Sequence, residues 1–250
     1  MFKIVILGTG HVATHLFRAM QTSEVCRVIQ LYNHRAESLI PFEEDTETTT
    51  HLSALKEADL YLICLKDDVI ESIAQQIPST SGIIAHTSGS QSILKSSNSA
   101  VFYPLQTFSK HSQLNYSEIP FCLEANSVEH LRVLKNIAGS ISTKIYDITS
   151  AQRQTLHLAA VFVCNFTNHL YAIGEHICNE DYIPFDILKA LIRETSEKVQ
   201  THSPSDVQTG PAVRRDTTTI ARHLSQIKDN TQLDIYQLLT QSILQKHDKL

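Results

Sequence analysis

Glycine is scarce in this chain. Seven occur in 250 residues, against a usual share of roughly 7%, so a position that keeps one is a candidate for a turn or a close approach that a side chain would block. Four of them, Gly8, Gly10, Gly89 and Gly210, fall in the motifs described below. Basic charge is scarce too: 21 Lys and Arg against 26 Asp and Glu leave a net charge of −5. The cations are scattered, so the broad basic face that neutralises several phosphates is missing, and no nucleic-acid partner is expected. Long apolar runs are also lacking. The longest, such as Leu158 to Cys164, has seven residues, far below the roughly 20 that cross a bilayer, so no membrane span is expected. The opening Phe2–Leu7 run is too short for a signal peptide. Five cysteines (Cys26, Cys64, Cys122, Cys164 and Cys178) contain no CxxC pair and read as reduced core thiols of a cytoplasmic protein. Thirteen histidines raise the question of a metal, but there is no HExxH motif, and His169 and His176 are too far apart along a helix to share an ion. No metal site is expected.

What remains is a globular composition, 42% hydrophobic and 19% charged, in two different rhythms. Short β-branched runs at Lys3 to Leu7, Val25 to Tyr32, Leu60 to Leu65, Gly82 to His86 and Ala100 to Tyr103 alternate with helical patterns at Val12 to Gln21 and Val69 to Gln76. That alternation predicts an α/β fold with a doubly wound parallel sheet. Asp68 and Glu71 resemble a capping box for the second helix. Phe121 to Glu124, a helix over Val128 to Ile137, and Ile141 to Tyr146 extend the sheet at one edge. From about residue 150 the period is helical throughout, with Thr149 and Gln152 as a further capping box. Helices are predicted over Ser150 to Asn179, Ile187 to Val199, Asp216 to Ile227 and Thr231 to Gln245. The division is therefore an α/β domain over 1–149 and an all-α domain over 150–250.

Gly8-Thr9-Gly10-His11-Val12-Ala13 is a GxGxxA sequence between a strand and a helix. The first glycine makes the tight turn, the second lets a pyrophosphate approach the backbone, and Ala13 allows close helix packing, while the helix N-terminus offers free N–H groups. The bland alternative is a glycine-rich turn for another ligand, such as S-adenosylmethionine. At the end of the second strand an NAD-selective site places a carboxylate, whereas this chain has Asn33-His34-Arg35. A 2′-phosphate is not repelled there and Arg35 can pair with it, which favours NADP(H); alternatively Arg35 is a solvated residue opening a short helix. The cofactor-binding set is thus Gly8, Thr9, Gly10, His11, Val12, Asn33, His34 and Arg35, with Leu65, Thr87 and Ser88 at the following strand ends.

Ligands of such a sheet lie beyond the carboxyl ends of its strands. Two ends carry polar clusters, His86-Thr87-Ser88-Gly89 and Tyr103-Pro104-Leu105-Gln106. His86 is either a proton donor or a neutral histidine shaping the pocket floor, and Tyr103 is either a donor or packing. The long helix adds His157, Asn165 and Asn168, whose polar groups either satisfy one another and a loop or face a cleft. The candidate catalytic set is His86, Tyr103, His157 and Asn165. Gln106, Arg214, Arg215 and Asp216 are candidate substrate ligands, the arginines for a carboxylate; the alternative is an ion pair of Arg214 or Arg215 with Asp216 at a helix N-cap.

Taken together, GTGHVATHL, LYLICLKDDVIESIA, HTSGS, YPLQTFS, HLAAVFVCNFTNHL and TGPAVRRDTTTIARHL resemble bacterial oxidoreductases that join an NADP-binding Rossmann domain to a helical C-terminal domain of unknown function. That family is related to pyrroline-5-carboxylate reductase and, more distantly, to the 6-phosphogluconate dehydrogenase-like superfamily. The resemblance implies an NADP(H)-dependent oxidoreductase of a small polar carbonyl, imine or hydroxy compound, and a homodimer formed through the C-terminal helices. A non-catalytic NADP(H)-binding sensor or assembly protein is the competing reading, because no unambiguous Tyr-Lys or His-Asp catalytic pair is visible in the sequence.

Overall fold

The computed structural model describes residues 1–78, 81–109 and 113–247. The chain divides into two compact units, Met1–Cys164 and Asn165–Leu250. The first contains an eight-stranded sheet in the order β3-β2-β1-β4-β5-β6-β7-β8, in which β1 is Phe2–Leu7, β2 Cys26–Tyr32, β3 Glu47–Thr49, β4 Leu60–Ile63, β5 Ile83–His86, β6 Ser99–Pro104, β7 Phe121–Ala125 and β8 Ile145–Asp147. Strands β1 to β6 pair in parallel, β7 runs antiparallel to β6, and β8 is parallel to β7. The α/β expectation holds, with β7 and β8 at one edge running opposite to the six parallel strands.

The central strands are continuous apolar runs because the sheet is covered on both faces. Alternate residues point to opposite faces. Ile4, Ile6, Leu60 and Leu62 pack with Leu16, Phe17 and Met20 of helix α1 (His11–Gln21) on one side. Val5, Leu7, Tyr61 and Ile63 pack with Ile70 and Ile77 on the other. Each fully buried Leu or Ile contributes roughly 1.5–3 kcal/mol, which fixes the register of β1 between β2 and β4. The strand order reverses at the β1/β4 junction, so the crevice for a ligand opens above Gly8.

One local expectation fails and one strand was not foreseen. The capping box of Asp68 and Glu71 is absent: Asp67–Val69 makes a 3-10 turn, and α2 (Ile70–Ala74) starts with Val69 as its cap and no side-chain cap. Asp67 instead receives the Ser90 hydroxyl. Strand β3 carries no hydrophobic signal in Glu47-Thr48-Thr49, because it is an edge strand held by its ladder to β2.

Helix α3 (Val128–Gly139) lies between β7 and β8. Helix α4 (Ser150–Ala160) begins with the Thr149/Gln152 capping box foreseen in the sequence. It continues through a π-helical stretch, Val161–Phe166, into α5 (Thr167–Glu180). By length and mean hydropathy Ser150–Glu180 is the one helix among the described residues that could span a membrane, contrary to the reading of its short apolar runs. Its first turns are engaged elsewhere, because Arg153 is buried and ion-paired with Glu124 on β7. The second unit continues with α6 (Lys189–Thr201), α7 (Thr217–Gln226) and α8 (Asn230–His247).

Candidate active site

The glycine loop is built from two different requirements. Gly8 has φ +118°, and a Cβ there would lie 2.4 Å from the Cys64 carbonyl oxygen, so only glycine fits between β1 and β4. Gly10 has an ordinary φ of −68° and nothing within 4 Å of a Cβ position. Its lack of a side chain leaves open space in front of the α1 N-terminus, where no side chain caps the helix. Free N–H groups, a partial positive charge and an open approach are what a pyrophosphate requires. His11 is exposed at the first helical position, and Val12 packs against the core.

The end of β2 is tied to this loop. The Asn33 amide donates to Thr9 Oγ1 at 2.6 Å, and its Oδ1 accepts from the Arg35 N–H at 3.0 Å. His34 and Arg35 are left exposed. Beside the loop, a groove of about 440 Å³ runs between α1 and the following turns, lined by Thr9, His11, Thr14, Arg18 and Ser38 among others. A larger cavity, about 930 Å³, lies at Lys3, Arg27 and Glu57, near the amino ends of the strands and away from these loops.

At the carboxyl ends of β5 and β6 the candidate residues separate into two groups. His86 is fully buried; its Nδ1 accepts from the Ser88 N–H at 3.2 Å and its Nε2 faces the Ser92 carbonyl at 3.2 Å. Burial, reinforced by the positive charge of Arg153, holds its pKa down at about 4. With both nitrogens committed and the ring neutral, His86 shapes the Ser88–Ser92 loop, which removes the geometric basis for its expected role as proton donor. One consequence can be measured. The unfolded state protonates His86 near pH 6.5 and the folded state only near 4, so stability should fall as pH drops from 6.5 to 4, by up to about 3 kcal/mol. Urea unfolding of His86→Asn across that range should show a flatter dependence; an unchanged slope would assign the loss to other groups.

Tyr103 and His157 do come together. The phenol OH lies 3.2 Å from His157 Nδ1, and the rings meet edge to face at 6.2 Å. Burial pushes the Tyr103 pKa up to about 12, Cys122 adds to the rise, and Arg153 partly opposes it. Gly89 lies directly against the pair: a Cβ there would be 2.7 Å from His157 Nδ1 and 2.8 Å from Tyr103 Cζ. Thr87 is bonded to Ile63 O, and Ser88 Oγ accepts from the N–H groups of Ser90 and Gln91. Leu65 packs beside β4. Gln106 is exposed, and its Oε1 accepts from the adjacent Thr107 N–H.

The remaining candidates belong to the second unit. Asn165 is exposed within the π-helical stretch, a feature with no sequence signal here and one often found at functional sites. Arg214 and Arg215 are exposed after Gly210, and Arg215 holds a left-handed φ of 53°. Asp216 is the N-cap of α7: its Oδ1 accepts from the Thr219 N–H and its Oδ2 from the Thr219 hydroxyl. Those bonds hold its pKa below the usual carboxylate range. Both oxygens are engaged in the helix N-cap, the alternative that the sequence offered for this position. Among the described residues no cluster of three metal-ligating side chains occurs.

The sequence reading missed Arg153 and Glu124. Their only signal was an arginine one helical turn before His157.

Residues 119–243 match the family model of a domain of unknown function, DUF2520, and residues 3–87 match that of the NADP oxidoreductases described as coenzyme F420-dependent. A crystal structure titled "putative NADP oxidoreductase BF3122" from Bacteroides fragilis is 38% identical over 98% of both chains, with a TM-score of 0.90. The chain belongs to this NADP oxidoreductase family with a DUF2520 C-terminal region. Protein TM1727 from Thermotoga maritima shares the fold at 19% identity, covering 98% of both chains with a TM-score of 0.75. A pyrroline carboxylate reductase from Plasmodium falciparum, solved with NADP bound, does so at 13% identity, covering 98% of this chain and 97% of that one with a TM-score of 0.58. No curated protein matches the chain. Family membership agrees with an oxidoreductase on a Rossmann-type sheet and with a nicotinamide cofactor.

Proposed function

We propose that the protein is an NADP(H)-dependent oxidoreductase of a small polar carbonyl, imine or hydroxy compound, with Tyr103 and His157 handling the proton. The observation that carries this reading is the contact of Tyr103 OH with His157 Nδ1 against Gly89, at the sheet edge that also bears the glycine loop. A phenol next to an imidazole is the acid–base pair that the sequence did not reveal, and it argues against a non-catalytic sensor.

The open space at Gly10 and the uncapped α1 N-terminus fit a dinucleotide pyrophosphate, with Asn33, His34 and Arg35 at the ribose and Leu65, Thr87 and Ser88 toward the nicotinamide. When bound, the cofactor supplies or accepts the hydride. Tyr103 stays protonated across neutral pH and gives its phenolic proton to the substrate oxygen or nitrogen that gains charge. His157 Nδ1, in contact with the phenol oxygen, passes a proton taken up from solvent back to the phenolate; oxidation runs these transfers in reverse. Arg214 and Arg215 are suited to the anionic end of a carboxylate substrate. Five free cysteines fit a reducing cytoplasm.

The test is loss of NADPH absorbance over a panel of keto acids, cyclic imines and aldehydes. Tyr103→Phe and His157→Gln should each lower turnover by roughly 100-fold or more, while NADPH affinity stays within about two-fold. NADPH binding with no turnover across the panel would return weight to the sensor. Cofactor choice has its own check. NADPH should bind at least about tenfold more tightly than NADH, close to 1.4 kcal/mol, and Arg35→Ala should weaken NADPH alone. Equal weakening of both cofactors in a fluorescence titration would make Arg35 structural.

Assembly follows from exposure. Leu158, Val163, Leu170 and Ile177 on the long helix are between 39% and 75% exposed, more apolar surface than a monomer usually leaves to water. We infer a homodimer through these helices. Light scattering at micromolar concentration should give twice the chain mass, and a monomer would overturn the inference.

A further inference from the structure

We propose that Arg153 is a positioning residue: together with Glu124 it ties the Ser88–Ile93 loop to α4 and so holds Gly89 against the Tyr103–His157 contact. This rests on the reading of that contact as the proton relay. Arg153 is a charged side chain that is completely buried, and burying a guanidinium costs several kcal/mol unless its hydrogen bonds are replaced. Here the two Nη groups are bonded and bridge three segments, while Nε is left without a partner. Nη1 donates to Glu124 Oε2 on β7 at 2.6 Å, and Nη2 donates to the Gln91 carbonyl in the loop and to Ser150 Oγ at 3.2 Å.

Ser150 extends the bridge. Its N–H and hydroxyl donate to the two oxygens of Glu124 at 2.9 and 2.7 Å, and its Oγ accepts from the Ile93 N–H at 2.9 Å. Gln154 adds a bond from Nε2 to the Ser90 carbonyl at 2.9 Å. Ser90, Gln91 and Ile93 are therefore each bonded to the first turns of α4, on both sides of the network that fixes Glu124.

The geometry transmits this to the reacting groups. Arg153 and His157 are four residues apart on α4 and share a face, so the contact that seats Arg153 also sets the height of His157. Gly89 belongs to the tethered loop and leaves less than 3 Å to both rings for a side chain. A loop free to shift would open or block the 3.2 Å contact. An apolar pair would hold the helix down equally well, since buried ion pairs add little net stability. Only the planar fork, however, reaches a carboxylate and a loop carbonyl together and so fixes the position of the loop. The charged and titratable groups around the relay are Cys122 and Glu124 on β7, His86 on β5, Asp67 before α2 and Arg153 itself.

The experiment uses the full chain with NADPH bound. The double variant Arg153→Met/Glu124→Met removes both charges at similar volume. It should keep NADPH affinity within about two-fold, speed amide exchange at residues 88–93 at least about tenfold, and change the pH response of the Tyr103 Cζ and His157 ring signals in NMR. Arg153→Lys keeps the charge without the fork, should show the same two changes, and serves alone if the double variant does not fold. Loop exchange and ring signals both like wild type in a folded variant overturn the proposal. So does faster loop exchange with unaltered ring signals, since the loop would then not position the pair. Tyr103→Phe measured alongside separates the two readings: unchanged turnover there defeats the relay, whereas the exchange and ring signals still decide whether Arg153 positions the pair.

Discussion

Gly10→Leu is expected to weaken NADPH binding by at least about 100-fold, near 2.7 kcal/mol, with circular dichroism and thermal unfolding as in the parent protein. Gly10 has φ −68°, a conformation any L-residue adopts, and no atom lies within 4 Å of the position a Cβ would take. Folding therefore meets no strain, and the leucine side chain enters the space in front of the α1 N-terminus. Gly8 provides the contrast. Its φ of +118° and the Cys64 carbonyl 2.4 Å from a Cβ mean that Gly8→Ala should damage the β1/β4 junction itself. Calorimetric titration beside an unfolding curve distinguishes the two losses. Retained NADPH affinity in a folded Gly10→Leu would remove the cofactor from this loop.

Gly89→Ala should leave NADPH affinity within about three-fold and lower turnover by roughly 100-fold or more on whichever panel substrate reacts best. The added methyl meets His157 Nδ1 at 2.7 Å and Tyr103 Cζ at 2.8 Å. Ring atoms of two half-buried side chains must give way, and the hydrogen bond between them cannot survive unchanged. Overpacking costs about 1–3 kcal/mol, so the protein should fold with a lowered midpoint. Turnover within two-fold of wild type, in a protein that binds NADPH normally, would show that the pair does not carry the proton.

These two glycines illustrate how much of the site could be read from the chain. The GxGxxA loop was visible because its spacing between an apolar strand and an amphipathic helix is a local pattern. So were the Thr149/Gln152 capping box and Asp216 as an N-cap, which the structure shows in place. The false capping box at Asp68 was equally local. It failed because Asp67–Val69 turns as a 3-10 segment and Asp67 is bonded to Ser90, 23 residues away. Strand β3 was invisible, since an edge strand of Glu-Thr-Thr is defined by its ladder to β2 rather than by buried side chains.

By itself, then, the sequence determined the alternating α/β rhythm, the glycine loop, the lack of a carboxylate at Asn33-His34-Arg35 after β2 and the change to helices near residue 150. Each of these is written in spacings of a few residues, which is the range over which period, caps and turns act. The tertiary structure alone decided which polar residues meet. Tyr103 and His157 are 54 residues apart, Arg153 and Glu124 are 29 apart, and Arg153 and Gln91 are 62 apart. It also turned His86 from a candidate acid into a buried, doubly bonded anchor. Such pairings follow from strand order and from the face that α4 presents to the sheet, and the buried polar groups select them because an unpaired one is too costly to leave.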